Sequence, residues 1–235
     1  MEPKHVVGLS GGKDSTALAL LLQEREPRNY EYICNATGDE LPAMVAHWDR
    51  LQDMLGAEIK RVTDPRGLNG LIEDQKMLPN VFARWCTRIL KIEPTIAYFN
   101  TLPEGSVLYV GLRADEESRR GLYGEDIAVR FPLREWGFGL PEVVGYLNDR
   151  GVCIPERTDC ARCPYQRLGE WRDLYNNHPE VYASAVAQEK ASGHTFRSPG
   201  RDNWPADLES LAKEFDSGRK LRAFNRSTTC RVCSL

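Results

Sequence analysis

The sequence predicts an α/β fold in which a parallel sheet carries helices on both faces. Three observations lead there. Short apolar runs recur at Val6–Leu9, Tyr32–Cys34, Glu58–Val62, Val107–Val110 and Ile127–Phe131. Helix-compatible segments lie between them, at about 13–25, 41–55, 67–77 and 87–100. Strands that alternate with helices are joined by crossovers, and the crossovers cover both faces of a parallel sheet. The third observation is a glycine turn, Ser10-Gly11-Gly12-Lys13-Asp14-Ser15, between the first strand and the first helix. Ligands of such sheets bind outside the carboxyl ends of the strands, where this turn lies.

The turn suits an anion. Gly11 and Gly12 let the backbone bend and approach a ligand without a Cβ clash. The first helical turn then offers unpaired N–H groups and the positive end of its dipole, an arrangement that binds phosphate. Lys13 adds a point charge, and Ser10 and Ser15 add hydroxyls. An ordinary P-loop is excluded, because the Walker spacing is absent and Asp14 stands where its Ser/Thr belongs.

The later elements each bring chemistry. Asn35-Ala36-Thr37-Gly38-Asp39-Glu40 ends the second strand, and Thr37 or Asp39 can cap the helix that follows. Cys86 lies between Arg84 and Arg88 at a helix start, which favours the thiolate, the form that binds metals or attacks electrophiles. Gly111 follows the fourth strand and permits close ligand approach, while Arg113 and Arg119 or Arg120 supply planar donors for phosphate or sulfate. Asp115 and Glu116 can hold Mg²⁺ or orient these arginines. Pro132-Leu133 and Trp136-Gly137-Phe138-Gly139 mark a change of character. A helix at 140–150, a cysteine-bearing loop at 151–165 and helical patterns from 166 to about 224 come after. There Leu168, Trp171, Leu174 and Tyr175 form a core-facing stripe. A boundary near 135 thus separates an α/β part, 1–135, from a mostly helical part, 136–235, expected to dock onto it.

Bulk properties narrow the class. The 235 residues suffice for one good-sized domain or a domain with an appendage, and 41% hydrophobic and 28% charged content are ordinary for a soluble protein. No apolar stretch is long enough to cross a bilayer. The chain opens on a strand without a signal-peptide pattern, so a cytoplasmic location is expected. A net charge of −3 makes no global case for nucleic acid. The basic residues Lys213, Arg219, Lys220, Arg222, Arg226 and Arg231, against Glu214 and Asp216, form either a local phosphate-contacting patch or a solvated face. Seven cysteines in a reducing compartment do not suggest disulfides, and the pairs Cys160/Cys163 and Cys230/Cys233 read as metal or cluster ligands or as a redox dithiol.

The turn resembles the pyrophosphate loop, SGGxDS, of the adenine-nucleotide α-hydrolase-like (PP-loop) enzymes, which split ATP between its α and β phosphates. Four further segments resemble the phosphoadenylyl-sulfate (PAPS) reductase family within that group; one is Asn35-Ala36-Thr37-Gly38-Asp39-Glu40, which stands where the family shows an Asp-Thr-Gly-type turn near the nucleotide, with alanine in place of the aspartate. Arg84-Trp85-Cys86-Thr87-Arg88-Ile89-Leu90-Lys91-Ile92-Glu93-Pro94 is similar to its cysteine-plus-lysine segment, Gly111 to Arg120 to its G-x-R-x-x-E-S motif, and Cys160-Ala161-Arg162-Cys163-Pro164 to its Cys-x-x-Cys-Pro turn. The resemblance implies a Rossmann-like (HUP-type) sheet and a nucleotide site formed by Ser10–Ser15, Thr37, Gly38, Lys91, Gly111, Arg113 and Arg119. It gives Lys13, Asp14, Arg113 and Cys86 catalytic roles. Lys13 would stabilise the leaving pyrophosphate, and Asp14 would help place Mg²⁺.

The resemblance also implies a [4Fe–4S] cluster on Cys86, Cys160 and Cys163, with Cys230 or Cys233 as fourth ligand. A four-cysteine zinc site made by the two C-x2-C pairs, and a mobile dithiol at the tail, stay open. Reductases of the family act on a substrate that is already activated, and their loop is typically eroded. This chain keeps every residue of the signature. The expected function is therefore ATP cleavage that adenylates an acceptor, followed by sulfur transfer to a nucleic acid or small molecule from a donor such as a cysteine desulfurase. A thiol-dependent PAPS or adenylyl-sulfate reductase, and a non-catalytic metal-stapled nucleotide-sensing or nucleic-acid-binding module, are the alternatives.

Overall fold

Strands β1 (His5–Gly8), β2 (Tyr30–Cys34), β3 (Ile59–Arg61), β4 (Val107–Tyr109) and β5 (Ala128–Arg130) form one parallel sheet in the computed structural model. The structure describes residues 2–116, 119, 123 and 127–221. The readings that rest on Glu117, Ser118, Arg120, Arg222, Arg226, Cys230, Arg231 and Cys233 lie outside the described residues.

The strand order is β3-β2-β1-β4-β5, with Val6 opposite both Glu31 and Leu108. The winding therefore reverses between β1 and β4. A crevice opens at such a reversal, outside the carboxyl ends of the two strands. Successive strand residues face opposite sides of the sheet. Val7, Tyr32, Cys34 and Tyr109 pack with α1 (Lys13–Arg25), α2 (Pro42–Leu55) and α7 (Leu140–Asp149), whereas Val6, Ile33 and Leu108 pack with Phe99 of α5 (Glu93–Phe99). Helix α1 is buried from Asp14 through Leu22, and its middle, Ala17–Leu22, is apolar all round.

The remaining helices are α3 (Gly67–Gln75), α4 (Trp85–Thr87), α6 (Pro132–Glu135), α8 (Leu168–Asn177), α9 (Pro179–Ser192) and α10 (Leu208–Asp216). A separate core gathers Leu68, Leu71, Trp85 and Leu90 against Trp171, Leu174, Tyr182 and Leu211, and Leu168 and Tyr175 pack on it. The stripe inferred for α8 thus faces a core, and that core joins the helical region to α3 and α4.

Two helical expectations change. The segment expected as one helix over 87–100 is split by a π-helical turn, Arg88–Ile92. Pro94 has no N–H to offer the Leu90 carbonyl, which instead accepts from Thr63 Oγ1 at 3.2 Å. In the later region, α9 ends at Gly193 in the left-handed conformation, and an irregular stretch runs to 207. The buried Glu189 carboxylate organises that stretch by accepting from the Phe196 amide at 2.9 Å and the Leu208 amide at 2.6 Å. No described helix is long and apolar enough to cross a membrane.

Candidate functional site

The crevice holds the glycine turn. Gly11 has φ +84°, and a Cβ there would lie 2.2 Å from Met44 Cε and 2.8 Å from Trp48 Nε1, so only glycine fits. Trp48 Nε1 donates to the Ser10 carbonyl at 3.0 Å. The Gly11 amide donates to Ser15 Oγ at 3.1 Å, and Ser10 Oγ lies 3.0 Å from Ser15 Oγ. The two serines thus brace the loop from inside. Among the described residues no side chain caps α1, whose first turn points into the crevice. Gly111, after β4, closes the other wall: a Cβ there would stand 3.0 Å from the Asp14 carbonyl and the Ser15 amide. Ser10, Gly12, Asp14, Ser15, Trp48 and Gly111 line a cavity of ≈ 180 Å³ with Glu40, Lys91, Arg119, Tyr123 and Cys160.

Asp14 is the most constrained carboxylate in the corner. Its Oδ2 accepts from Arg113 Nη1 at 2.8 Å and lies 3.3 Å from Lys13 Nζ. Its Oδ1 is buried without a hydrogen-bond partner among the described residues. Arg113 is 1% exposed, and the rest of its guanidinium faces Asp115 Oδ1 at 2.8 Å and Glu116 Oε1 at 3.6 Å. Arg113 therefore points at carboxylates, not into the cavity, and Asp115 and Glu116 orient arginines. Removing one member of such a buried pair costs roughly 3–5 kcal/mol, because a charge is left uncompensated. Arg119 differs. One nitrogen bonds Glu116, while Nε and Nη2 are buried without partners among the described residues beside the cavity. Two unsatisfied donors and one unsatisfied carboxylate oxygen suit an anion accompanied by a cation, and the orphaned Asp14 Oδ1 fits Mg²⁺.

Thr37 and Gly38 sit off this cavity. Gly38 packs toward Gly67 at the start of α3, and Thr37 lines a second, smaller cavity of ≈ 30 Å³. Cys86, Cys160, Cys163, Arg84, Tyr165 and Lys91 line the same space. Thr87, Lys91 and Cys160 belong to both cavities. A buried latch holds the cysteine loop to the Thr37 turn. The Ala161 amide donates to the Asp39 carbonyl at 2.6 Å, and Arg162 donates to the Asp39 carboxylate from its amide at 2.8 Å and from Nε at 2.7 Å. Thr37 Oγ1 lies 3.2 Å from Cys160 Sγ.

The thiols correct one expectation. The flanking arginines were to favour the Cys86 thiolate. Burial leaves the thiol above its ordinary value, outweighing Lys91, Thr87 and Arg84, which do pull it down. Burial also raises Cys160 to about 11 and pushes Cys163 up. Arg88 cannot help, because it is exposed and paired with Glu93. No group of three or more His, Cys, Asp or Glu among the described residues is gathered closely enough to hold a metal ion. The donor set nevertheless suits a thiolate-bound centre, since three cysteines line one cavity and Lys91 stands near each. Cys34 is buried and Cys153 exposed, apart from this group.

The model of the phosphoadenosine phosphosulfate reductase domain matches residues 4–125, more than half of the chain. The chain belongs to the PAPS reductase family. No curated protein matches it. Among solved structures it is similar to phosphoadenylyl-sulfate reductase from Candida auris in a phosphate complex, at 12% identity and TM-score 0.52, over 66% of this chain and 76% of that one. That likeness shows the fold. Lower scores join it to the NH3-dependent NAD synthetase from Campylobacter jejuni (14% identity, 94% and 90% coverage, TM-score 0.43). The U34-tRNA thiolase NcsA from Methanococcus maripaludis with its [4Fe–4S] cluster follows (17% identity, 95% and 84% coverage, TM-score 0.38).

Within this PAPS reductase family member, sequence reasoning missed Trp48, Thr158 and the Asp39–Arg162 latch. Trp48 and Thr158 line the cavity from elements that carry no motif. His47, next to Trp48, is buried, and burial together with Arg50 lowers its ring to about 4.

Proposed function

We infer that the protein cleaves ATP between its α and β phosphates and passes the adenylate to an acceptor that then receives sulfur. The observation that supports this most is the complete, internally braced Ser10–Ser15 loop at the reversal between β1 and β4, with Asp14 Oδ1 and the Arg119 donors unsatisfied beside it. Loop amides at the α1 N-terminus would bind the β and γ phosphates, and Lys13 would offset charge on the departing pyrophosphate. Arg119 would contact a phosphate directly. Arg113 is a positioning residue, because it acts through Asp14, which it holds at 2.8 Å. Mg²⁺, when bound, would be held at Asp14 and would neutralise phosphate charge. Gly111 lets the α1 N-terminus approach β4, which keeps the cavity narrow.

The second cavity supports the sulfur half of the reading. Cys86, Cys160 and Cys163, with Cys230 or Cys233 as a fourth ligand, would hold a [4Fe–4S] cluster or zinc, and such a centre would hold sulfur or brace the site. Cys160 and Lys91 line both cavities, so such a centre would stand next to a nucleotide bound in the first. Metal binding would deprotonate thiols that burial keeps protonated, and would release protons.

An anaerobic preparation given ATP labelled at the α phosphate tests the reading. Labelled AMP and pyrophosphate are the expected products. Sulfite from PAPS and reduced thioredoxin, with no ATP turnover, would assign the protein to the reductases instead. Brown colour with broad visible absorbance would report the cluster.

A further inference from the structure

The peptide that joins Ser10 to Gly11 is held on both sides. Its carbonyl accepts from Trp48 Nε1 of α2 at 3.0 Å, and its amide donates to Ser15 Oγ of α1 at 3.1 Å. Trp48 is itself fixed. Its ring is buried, the Arg61 guanidinium stands 5.8 Å from the ring centre, and Met44, one turn earlier on α2, joins it against Gly11.

A peptide unit that precedes a glycine can turn over, because glycine takes either sign of φ without a steric penalty. The same pair of orientations separates type II from type I turns, in which the third residue has φ of about +80° or about −90°. Gly11, at φ +84°, has the first. Turning the unit over exchanges its carbonyl for its N–H. Toward α2, the Gly11 N–H would then face the Trp48 N–H, two buried donors with no acceptor between them. Toward α1, a carbonyl oxygen would replace the N–H beside Ser15, which lines the nucleotide cavity. A carbonyl there turns negative charge toward an incoming phosphate. An indole N–H at position 48 therefore penalises the orientation that repels an anion, and an apolar ring of similar bulk does not.

We propose that Trp48 is a positioning residue: acting through the Ser10–Gly11 peptide, its N–H keeps the loop in the orientation that accepts an anion. The proposal deepens the functional reading above and rests on it for the identity of that anion, the pyrophosphate end of ATP. The loop orientation itself can be measured without ATP turnover.

The test uses the full chain, with inorganic pyrophosphate and Mg²⁺ as the probe in calorimetry. Trp48→Phe keeps an apolar ring and drops the N–H. Replacing Trp48 by β-(3-benzothienyl)alanine keeps the bicyclic shape and puts sulfur where the N–H was. Both variants are expected to bind pyrophosphate about tenfold more weakly than the parent, the loss produced when about one loop in ten keeps the binding orientation. Amide exchange followed by NMR separates positioning from packing. Exchange at Gly11 should accelerate in both variants. Leu9 and Thr16, whose amides donate to the Ile33 carbonyl at 2.8 Å and the Gly12 carbonyl at 2.9 Å, should keep the parent's rates. Parental pyrophosphate affinity in the benzothienyl variant would overturn the proposal, because the ring's bulk would then suffice. So would equal acceleration at Leu9, Gly11 and Thr16, which would report a general loosening. A parent that binds no pyrophosphate would overturn the proposal and the ATP reading together. Trp48-dependent pyrophosphate affinity in a protein that forms no AMP from ATP would support the proposal and sink the ATP reading alone.

Discussion

The phosphate corner and the thiol cavity share a wall, yet they are built in opposite ways. The corner comes mainly from one short stretch of chain whose hydroxyls and amides satisfy one another, with glycine wherever the backbone is crowded. The cavity comes from three separated pieces, the Thr37 turn, the Cys86–Lys91 segment and the Cys160–Cys163 loop, tied by the Asp39–Arg162 pair. The corner would thus be preorganised for the nucleotide proposed to bind there. The cavity holds thiols that burial keeps protonated and that, among the described residues, are not gathered round one point.

The largest expected effects fall on the corner. Gly11→Ala places a methyl group against Met44 and Trp48 at a φ that alanine rarely adopts. It should abolish ATP binding by calorimetry and lower stability by roughly 1–3 kcal/mol. Retained nucleotide affinity would show that the loop is less preorganised than its packing indicates. Arg113→Met should cost about 3–5 kcal/mol in urea unfolding, because Asp14 loses its buried partner. A loss below about 1 kcal/mol would mean that Asp14 is not held as a charge.

An intermediate effect is expected on the cavity alone. Arg162→Ala removes the latch, so Cys160 and Cys163 should react with a thiol reagent about tenfold faster or more, while ATP affinity changes little. Rates that stay the same would mean that the helical core, not the latch, holds the cysteine loop. A concurrent loss of ATP binding would erase the distinction between the two regions.

The smallest effect concerns pH. His47 is held neutral in the fold, with its pKa lowered to about 4 by burial and by Arg50. The unfolded ring takes up a proton near 6.5, so the stability it contributes is complete above 6.5 and is lost as pH falls towards 4. The loss should reach at most about 3 kcal/mol. Glu189 behaves oppositely. Burial raises it to about 7 despite two backbone donors, so its contribution grows as pH falls from about 7 towards 4.5. The parent should therefore show a muted pH profile. His47→Gln should unmask stabilisation on mild acidification, and a profile identical to the parent's would contradict this.

Much of the fold is legible in the sequence because strands and α1 are written in local apolar runs; α1 spans the expected residues, and the strands differ only at their ends. The serine bracing of the loop is legible for the same reason, since those partners lie within five residues. What could not be read depends on distant contacts. The π-helical turn before Pro94 needs Thr63, Arg113 needs Asp14, and the latch joins residues 123 apart. Motif spacing places an arginine near a site, but not the carboxylate it will face. The tail cysteines, Cys230 and Cys233, lie outside the described residues.

The most direct test is product analysis with ATP labelled at the α phosphate, comparing the parent with Asp14→Asn. The parent should give labelled AMP and unlabelled pyrophosphate, and Asp14→Asn, destabilised by loss of the Arg113 pair but still folded under the assay conditions, should give at least about a hundredfold less. Labelled ADP with inorganic phosphate, or equal AMP formation by both proteins, would contradict the ATP reading.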